Sequence, residues 1–190
     1  MYKKKRNGFT LFIIFGLLLI AIVLGGCQSS SQADPNNNNP PEGSNKPQPS
    51  TIEAVLYFSD EQAEYLVPEK RTLAIEEDND EVLAKAIINE LIAGPRNENL
   101  GATIPANSKL LSLTIQDGLA TVDFSEEIRS EHWGGSTGET MTINSIVNTL
   151  TEIDSIDRVQ LLIAGQNVDT LAGHWDISEP FERNEAIIKK

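Results

Sequence analysis

The tightest constraint on this chain is a turn. Asp117-Gly118 separates two short runs of largely apolar character, residues 111–116 and 119–124. Asp-Gly favours a two-residue type I′ loop, in which both central residues take positive φ. Such a loop pairs Gln116 with Leu119. Counting outward puts Ile115 opposite Ala120, Leu113 opposite Val122 and Leu111 opposite Phe124, with Thr114 facing Thr121 on the other side. Turn chemistry and apolar pattern specify the same register, so a hairpin with one buried face is expected.

The flanking sequence supplies further elements. Residues 52–58 are mostly apolar and predict a strand. A second extended segment over about residues 64–75 is interrupted at Pro68, which predicts an edge position or a bulge. Asp78-Asn79-Asp80-Glu81 reads as an N-cap at Asp78 with Glu81 three residues later, a capping box. The helix it opens carries Val82, Leu83, Ala86, Ile87 and Leu91 on one face and stops at Gly94-Pro95. Ile143, Ile146, Val147, Leu150 and Ile153 repeat with the spacing of a second helical face. Val159, Leu161 and Ile163 alternate as a final strand. The order is β-β-α-β-β-α-β. Two helices with one apolar stripe each should cover one face of a small mixed sheet, giving an α+β fold.

A different signal governs the N-terminus. Lys3-Lys4-Lys5-Arg6 precedes an apolar run from Gly8 to Leu24, and Leu24-Gly25-Gly26 leads to Cys27, the only cysteine. This is a secretory leader whose end resembles a lipobox, which implies cleavage before Cys27 and a diacylglycerol on its sulfur. The alternative is an uncleaved anchor, since the apolar run approaches the length of a membrane span. Either places the rest of the chain outside the plasma membrane and tethered to it. Residues 1–26 are read as the signal peptide and residues 27–50, rich in Asn, Pro and Ser, as a disordered linker. Residues 51–190 are long enough for one compact domain.

Charge and cysteine count narrow the function. Losing the four basic residues of the leader takes the net charge from −13 to −17. Nucleic acid is excluded as a partner, because its phosphates require a basic patch. With Cys27 acylated, the domain has neither a disulfide nor a catalytic thiol.

One stretch carries the look of chemistry. Gly134-Gly135-Ser136-Thr137-Gly138 matches G-x-S-x-G, with acids and then His174 downstream. A nucleophile elbow needs a strand running straight into the serine, whereas here polar residues separate Phe124 from Gly134. The better reading is another capping box, Ser136 as N-cap and Glu139 as its third residue. Glu139 also stands where a phosphate loop needs Lys followed by Ser or Thr. His132 and His174 lack the short spacing of metal ligands, and the Asp78/Asp80 pair lacks the glycine and distal glutamate of a calcium loop. No metal and no cofactor is expected. Trp133 and Trp175 each follow a histidine beside glycine. Tryptophan so placed is an interface anchor or a lid over the core; the lid reading is preferred for both, and the two rings are expected to lie near each other.

Several segments together resemble the GerMN domain of sporulation and spore germination. These are residues 55–60, the helix end Glu90-Leu91-Ile92-Ala93-Gly94-Pro95, Ile104-Pro105, and the strand over 119–125. Gly135-Ser136 with Glu139, residues 146–151, residues 159–163 and Leu171-Ala172-Gly173-His174 complete the match. The resemblance covers roughly residues 51–182. It implies a Gram-positive envelope protein, often a lipoprotein, without a catalytic centre. The implied fold is similar to ring-building modules that assemble into channels between mother cell and forespore. The lipoprotein that gives the family its name carries two such domains, and this chain has one.

The expected function is non-enzymatic: a lipid-anchored envelope module that binds another protein or itself. Its candidate surface comprises His132, Trp133, Gly134, Gly135, Ser136, Glu139, His174 and Trp175, with the hairpin's outer face (Thr114, Gln116, Thr121) beside the 125–138 loop as the places to look. The alternatives are a module for peptidoglycan or another wall ligand, and a serine hydrolase using Ser136 with His174.

Overall fold

Pro68 shows how the first sheet is built. In a computed structural model, which describes residues 50–190, β1 (Ser50–Asp60) pairs antiparallel with β2 (Leu66–Ile75). Pro68 lies opposite Tyr57. Two residues earlier, the Leu66 carbonyl accepts from Lys189 N–H on the outer side of β2. The missing N–H of Pro68 therefore falls on the outer edge, the place where a strand tolerates proline. The leader, Cys27 and the linker up to residue 49 lie outside the described residues, and Ser50, expected in the linker, opens β1.

Helix α1 (Asp80–Ala93) begins one residue later than the capping box predicts. Asn79, not Asp78, is the N-cap: it is extended, and its side-chain oxygen accepts from Glu81 N–H and Val82 N–H. Glu81 is thereby released, and its carboxylate accepts from Ile115 N–H. The helix buries Ala84, Ile87, Ile88 and Leu91 and ends at Gly94, whose φ is 85°.

After the two-residue β3 (Leu100–Gly101), which pairs with the end of β1, the hairpin forms from β4 (Leu110–Gln116) and β5 (Leu119–Phe124). Its register is the expected one from Gln116–Leu119 to Leu113–Val122, with Thr114 opposite Thr121. Asp117 and Gly118 have φ of 50° and 78°, as a type I′ turn requires. The far end departs from expectation. A bulge between Leu110 and Ser112 sets Leu110, not Leu111, opposite Phe124. Leu111 becomes the extra residue and is 52% exposed. A crossover through α2 (Glu127–Ser130) and α3 (Gly135–Leu150) brings β6 (Arg158–Ile163) parallel to β5, and β7 (Phe181–Glu182) pairs antiparallel with β6. Ile153 follows the end of α3 and is still buried.

The fold is α+β with a mixed sheet, as expected, but the strands divide between two sheets, β2-β1-β3 and β4-β5-β6-β7. Helix α3 accounts for the division. Besides its apolar stripe it carries Thr142, Ser145 and Thr149, all fully buried. Tyr57 N–H donates to Thr149 Oγ1 (3.0 Å), and Ser145 Oγ donates to the Tyr57 carbonyl (2.6 Å). The β1 edge at Tyr57 is satisfied by helix hydroxyls, so no strand of the second sheet joins it there. One core nevertheless spans both sheets: Leu56 and Phe58 pack with Ile88 and Leu91 of α1, Val122 and Phe124 of β5, Ile146 and Leu150 of α3, and Leu161 of β6.

Neither long helix has a basic residue in its last turn. Each receives an arginine from another element, lying over an aromatic residue of β1. Arg71 of β2, 5.0 Å from the Phe58 ring, donates to the carbonyls of Glu90 and Gly94 and pairs with Glu69 and Glu90. Arg183, 5.4 Å from the Tyr57 ring, donates to the Asn148 carbonyl and pairs with Glu152 and Glu185. Guanidinium groups here neutralise the negative ends of the helix dipoles.

Replacing Ser145 with Ala strips the Tyr57 carbonyl of its donor and leaves the Thr103 hydroxyl without its 2.7 Å partner. A loss of about 2 kcal/mol is expected, read from urea unfolding.

Candidate functional site

The loop over residues 131–135 enters α3 through Gly134 and Gly135, with φ of 74° and 78°. Two consecutive positive φ values suit glycine and penalise residues with a Cβ. The chain turns so tightly that the helix starts at Gly135 with Gly134 as N-cap, and no side chain caps it. The predicted Ser136–Glu139 box is therefore not formed. Ser136 lies inside the first turn, where its carbonyl accepts from Thr140 Oγ1.

Glu139 is released from capping and turns inward. It is 0% exposed. Its Oε1 accepts from His174 N–H (3.0 Å) and pairs with His174 Nδ1 (2.7 Å); Oε2 accepts from Trp175 N–H (3.1 Å), and the Ala172 N–H adds to them. Burial alone would raise the pKa of this carboxyl, but the hydrogen bonds from Trp175, the His174 side chain, Ala172 and His174 N–H outweigh it and hold the pKa below the ordinary range. One buried carboxylate thus binds residues 172–175 to α3.

His132 holds the other side of the helix start. Its Nδ1 accepts from Gly134 N–H (2.9 Å), and its Nε2 lies 3.0 Å from Thr142 Oγ1. Thr142 Oγ1 gives its proton to the Thr103 carbonyl at 2.6 Å, so the network assigns the hydrogen of the imidazole to Nε2. Burial lowers the pKa of His132, with a smaller opposing effect from Glu139. Protonating Nδ1 would also break its bond from Gly134.

Both tryptophans depart from the lid expectation. Trp133 is 54% and Trp175 43% exposed. The core is closed instead by Leu171 and Ile177, which flank the 172–175 segment and are almost fully buried. Trp133 stacks on His132, with ring centroids 5.1 Å apart. Its indole also lies across Gly138, where an added Cβ would come within 2.8 Å of Nε1. Trp133 is thus set against Gly138, and the Trp175 main chain against Glu139, consecutive residues of one helix.

The remaining predicted residues occupy ordinary positions. Thr114 and Gln116 are exposed on β4, opposite Thr121 and Leu119. Ser136 makes no hydrogen bond to His174 among the described residues. Sequence reasoning missed the Glu139–His174 pair and the Thr142 relay. A signal was present: Glu139 precedes Ile143 by four residues and Ile146 by seven, which puts it on the buried stripe.

A family profile named Germane, described as sporulation and spore germination, matches residues 55–169, more than half of the chain. The chain belongs to the Germane family. Among solved structures, this Germane chain is similar to a candidate lipoprotein from Clostridium perfringens. Identity there is 34% over 70% of this chain and 88% of that one, with a TM-score of 0.52. It is also similar to the first GerMN domain of the sporulation protein GerM from Bacillus subtilis, at 25% identity over 70% of this chain and 98% of that one (TM-score 0.55). Against the tandem GerMN domains of the same protein, identity is 26% over 70% of this chain and 46% of that one (TM-score 0.56). The Germane chain therefore spans about half of the tandem structure. No curated protein matches. Trp133, Gly138 and Glu139 fall within the matched residues, whereas His174 and Trp175 lie beyond them.

Two shifted groups of this site give stability a pH dependence, to which the lowered carboxyls of Asp60 and Glu69 add in the acid range. For His132, depressed from 6.5, stability is full above the unfolded value and lost as pH falls through the folded one. Glu139, depressed from 4.5, behaves in the same sense at lower pH. Urea unfolding across pH 7 to 3 should show stability falling in both windows. Glu139→Gln should make the fall in the lower window shallower, leaving the part due to Asp60 and Glu69, and lower stability at pH 7 by about 2–3 kcal/mol, because N–H donors lose a charged acceptor.

Proposed function

We propose that this Germane protein is a non-enzymatic component of the cell envelope, anchored by lipid on Cys27, whose domain docks another envelope protein or a further copy of itself. The docking surface is formed by His132, Trp133, Gly134, Gly135 and Ser136 with His174 and Trp175, and Glu139 braces it from inside. One observation carries this reading: two tryptophans are exposed on segments that buried polar bonds fix to the same helix. Exposed aromatic residues held in place lose little entropy on binding and make effective anchors. The family description, sporulation and spore germination, and the similarity to a candidate lipoprotein support an extracytoplasmic setting.

The hydrolase reading has a single observation in its favour, a buried carboxylate on His174 Nδ1, the arrangement that orients a general base. It lacks a nucleophile, since no hydroxyl of the described residues bonds to that imidazole. A serine-directed fluorophosphonate is expected to leave the protein unlabelled; labelling lost in Ser136→Ala would reinstate the enzyme.

Gly138→Ala separates docking from folding. Alanine in a helix interior is favoured over glycine by up to about 1 kcal/mol, yet the new methyl displaces the Trp133 ring. The variant should melt no lower than wild type. A photo-cross-linker at the exposed Thr137, used in intact cells, should capture its envelope partner at least tenfold less efficiently. Equal capture would remove this surface from the proposal, and retention of the wild-type protein on purified sacculi at moderate salt would favour a wall ligand.

A further inference from the structure

β1 has a second edge, and part of it is open among the described residues. The pair Tyr57–Pro68 exchanges no hydrogen bonds: Pro68 has no N–H, and the Tyr57 main chain points away from β2 to Thr149 and Ser145. Ser59, two residues on, faces Gly101 of β3 on the same side. The two-residue period of a strand then directs the N–H and C=O of Val55, Glu53 and Thr51 to that side as well. None of these groups has a partner among the described residues. Beyond them lies a groove of about 310 Å³, with Leu83, Ile87 and Ile153 supplying apolar surface and Glu53, Asp80, Glu152 and Asp154 the acidic groups. No lysine, arginine or histidine lines it. Lys70 and Arg183 reach Glu53 and Glu152 from outside, whereas Asp80 bonds to Ser155 alone among the described residues.

The outer edge of β2 is guarded differently, by Pro68 and by Ile188, which bridges to Leu66. Proline and covering segments are the usual means of keeping an edge from pairing. Among the described residues, the edge at residues 51–55 has neither.

We propose that this edge of β1 takes up an extended segment of a partner protein as an added strand, apolar at alternate residues and carrying Lys or Arg between them. Main-chain bonds to Val55 and Glu53 supply the affinity, and the acidic groups select the basic residues. A second copy of this chain is a poor occupant, because it is itself strongly acidic, with 28 Asp and Glu against 15 Lys and Arg. The edge is distinct from the tryptophan surface, so either proposal can fail alone.

The test is amide hydrogen exchange on the full-length chain in zwitterionic detergent, with and without an acetylated, amidated octapeptide alternating valine and lysine. Saturating peptide should slow exchange at Val55 and Glu53 at least tenfold. Ala54 and Leu56, already bonded to β2, should be unchanged. Asp154→Lys and Glu53→Lys should each weaken binding of the fluorescein-labelled peptide at least fivefold, and Gly138→Ala should leave it unaltered. The proposal is overturned if Val55 and Glu53 are not slowed, or if a valine–glutamate peptide binds equally well. It is also overturned if the two amides are protected without peptide and released by deleting residues 28–49, which makes the linker the occupant. Protection that grows with protein concentration makes it a second copy and overturns the proposal too.

Discussion

The Glu139 carboxylate is the constraint around which the end of the molecule that carries both tryptophans is arranged. A charge with no solvent exposure is tolerated only when hydrogen bonds replace its hydration. Here the replacement comes from the main chain of residues 172–175 and from the His174 imidazole. The bonding runs both ways. The carboxylate needs those donors, and the 172–175 segment, which has little regular structure of its own, takes its position from the carboxylate. Trp175 is outside because its own N–H is inside.

Helix α3 combines this role with two others. Its Ile146 and Leu150 face the core shared by both sheets, while Ser145 and Thr149 close the β1 edge at Tyr57. Thr142 links the helix to Thr103 on one side and to His132 on the other. A helix fixed on so many sides makes a stiff mount for the loop that carries Trp133. The arginines at the helix C-termini extend the same economy: Arg71 and Arg183 each lie over a β1 aromatic residue and serve a helix that lacks a cation of its own.

Much of the fold was legible in the sequence because local signals agreed there. The Asp117-Gly118 turn determined the hairpin register through Leu113–Val122, and Pro68 marked an edge. What failed depended on partners distant in the chain. Leu111 alternates with its neighbours in sequence, but the bulge that turns it outward is a property of the sheet. Asn79 and Asp78 are chemically equivalent caps, and only the observed chain path, with Glu81 drawn to Ile115, distinguishes them. Glu139 followed three residues after a serine, so a local cap looked sufficient. Its true partners come 35 and 36 residues later, and no local pattern announces them. The division into two sheets was hidden for the same reason, since hydroxyl side chains on a helix do not advertise that they will satisfy a strand edge.

The chain belongs to the Germane family and is similar to GerMN domains, and the surface proposed above gives the proposed docking role a physical form. On that surface, buried polar bonds rather than packing of the indoles in the core fix the exposed aromatic residues. Time-resolved fluorescence anisotropy of Trp175, in a Trp133→Phe chain, tests this directly. With Glu139 intact, Trp175 should depolarise mainly with the tumbling of the whole domain, and Glu139→Gln should add a large nanosecond component of local motion. Identical decays in the two proteins would contradict the account.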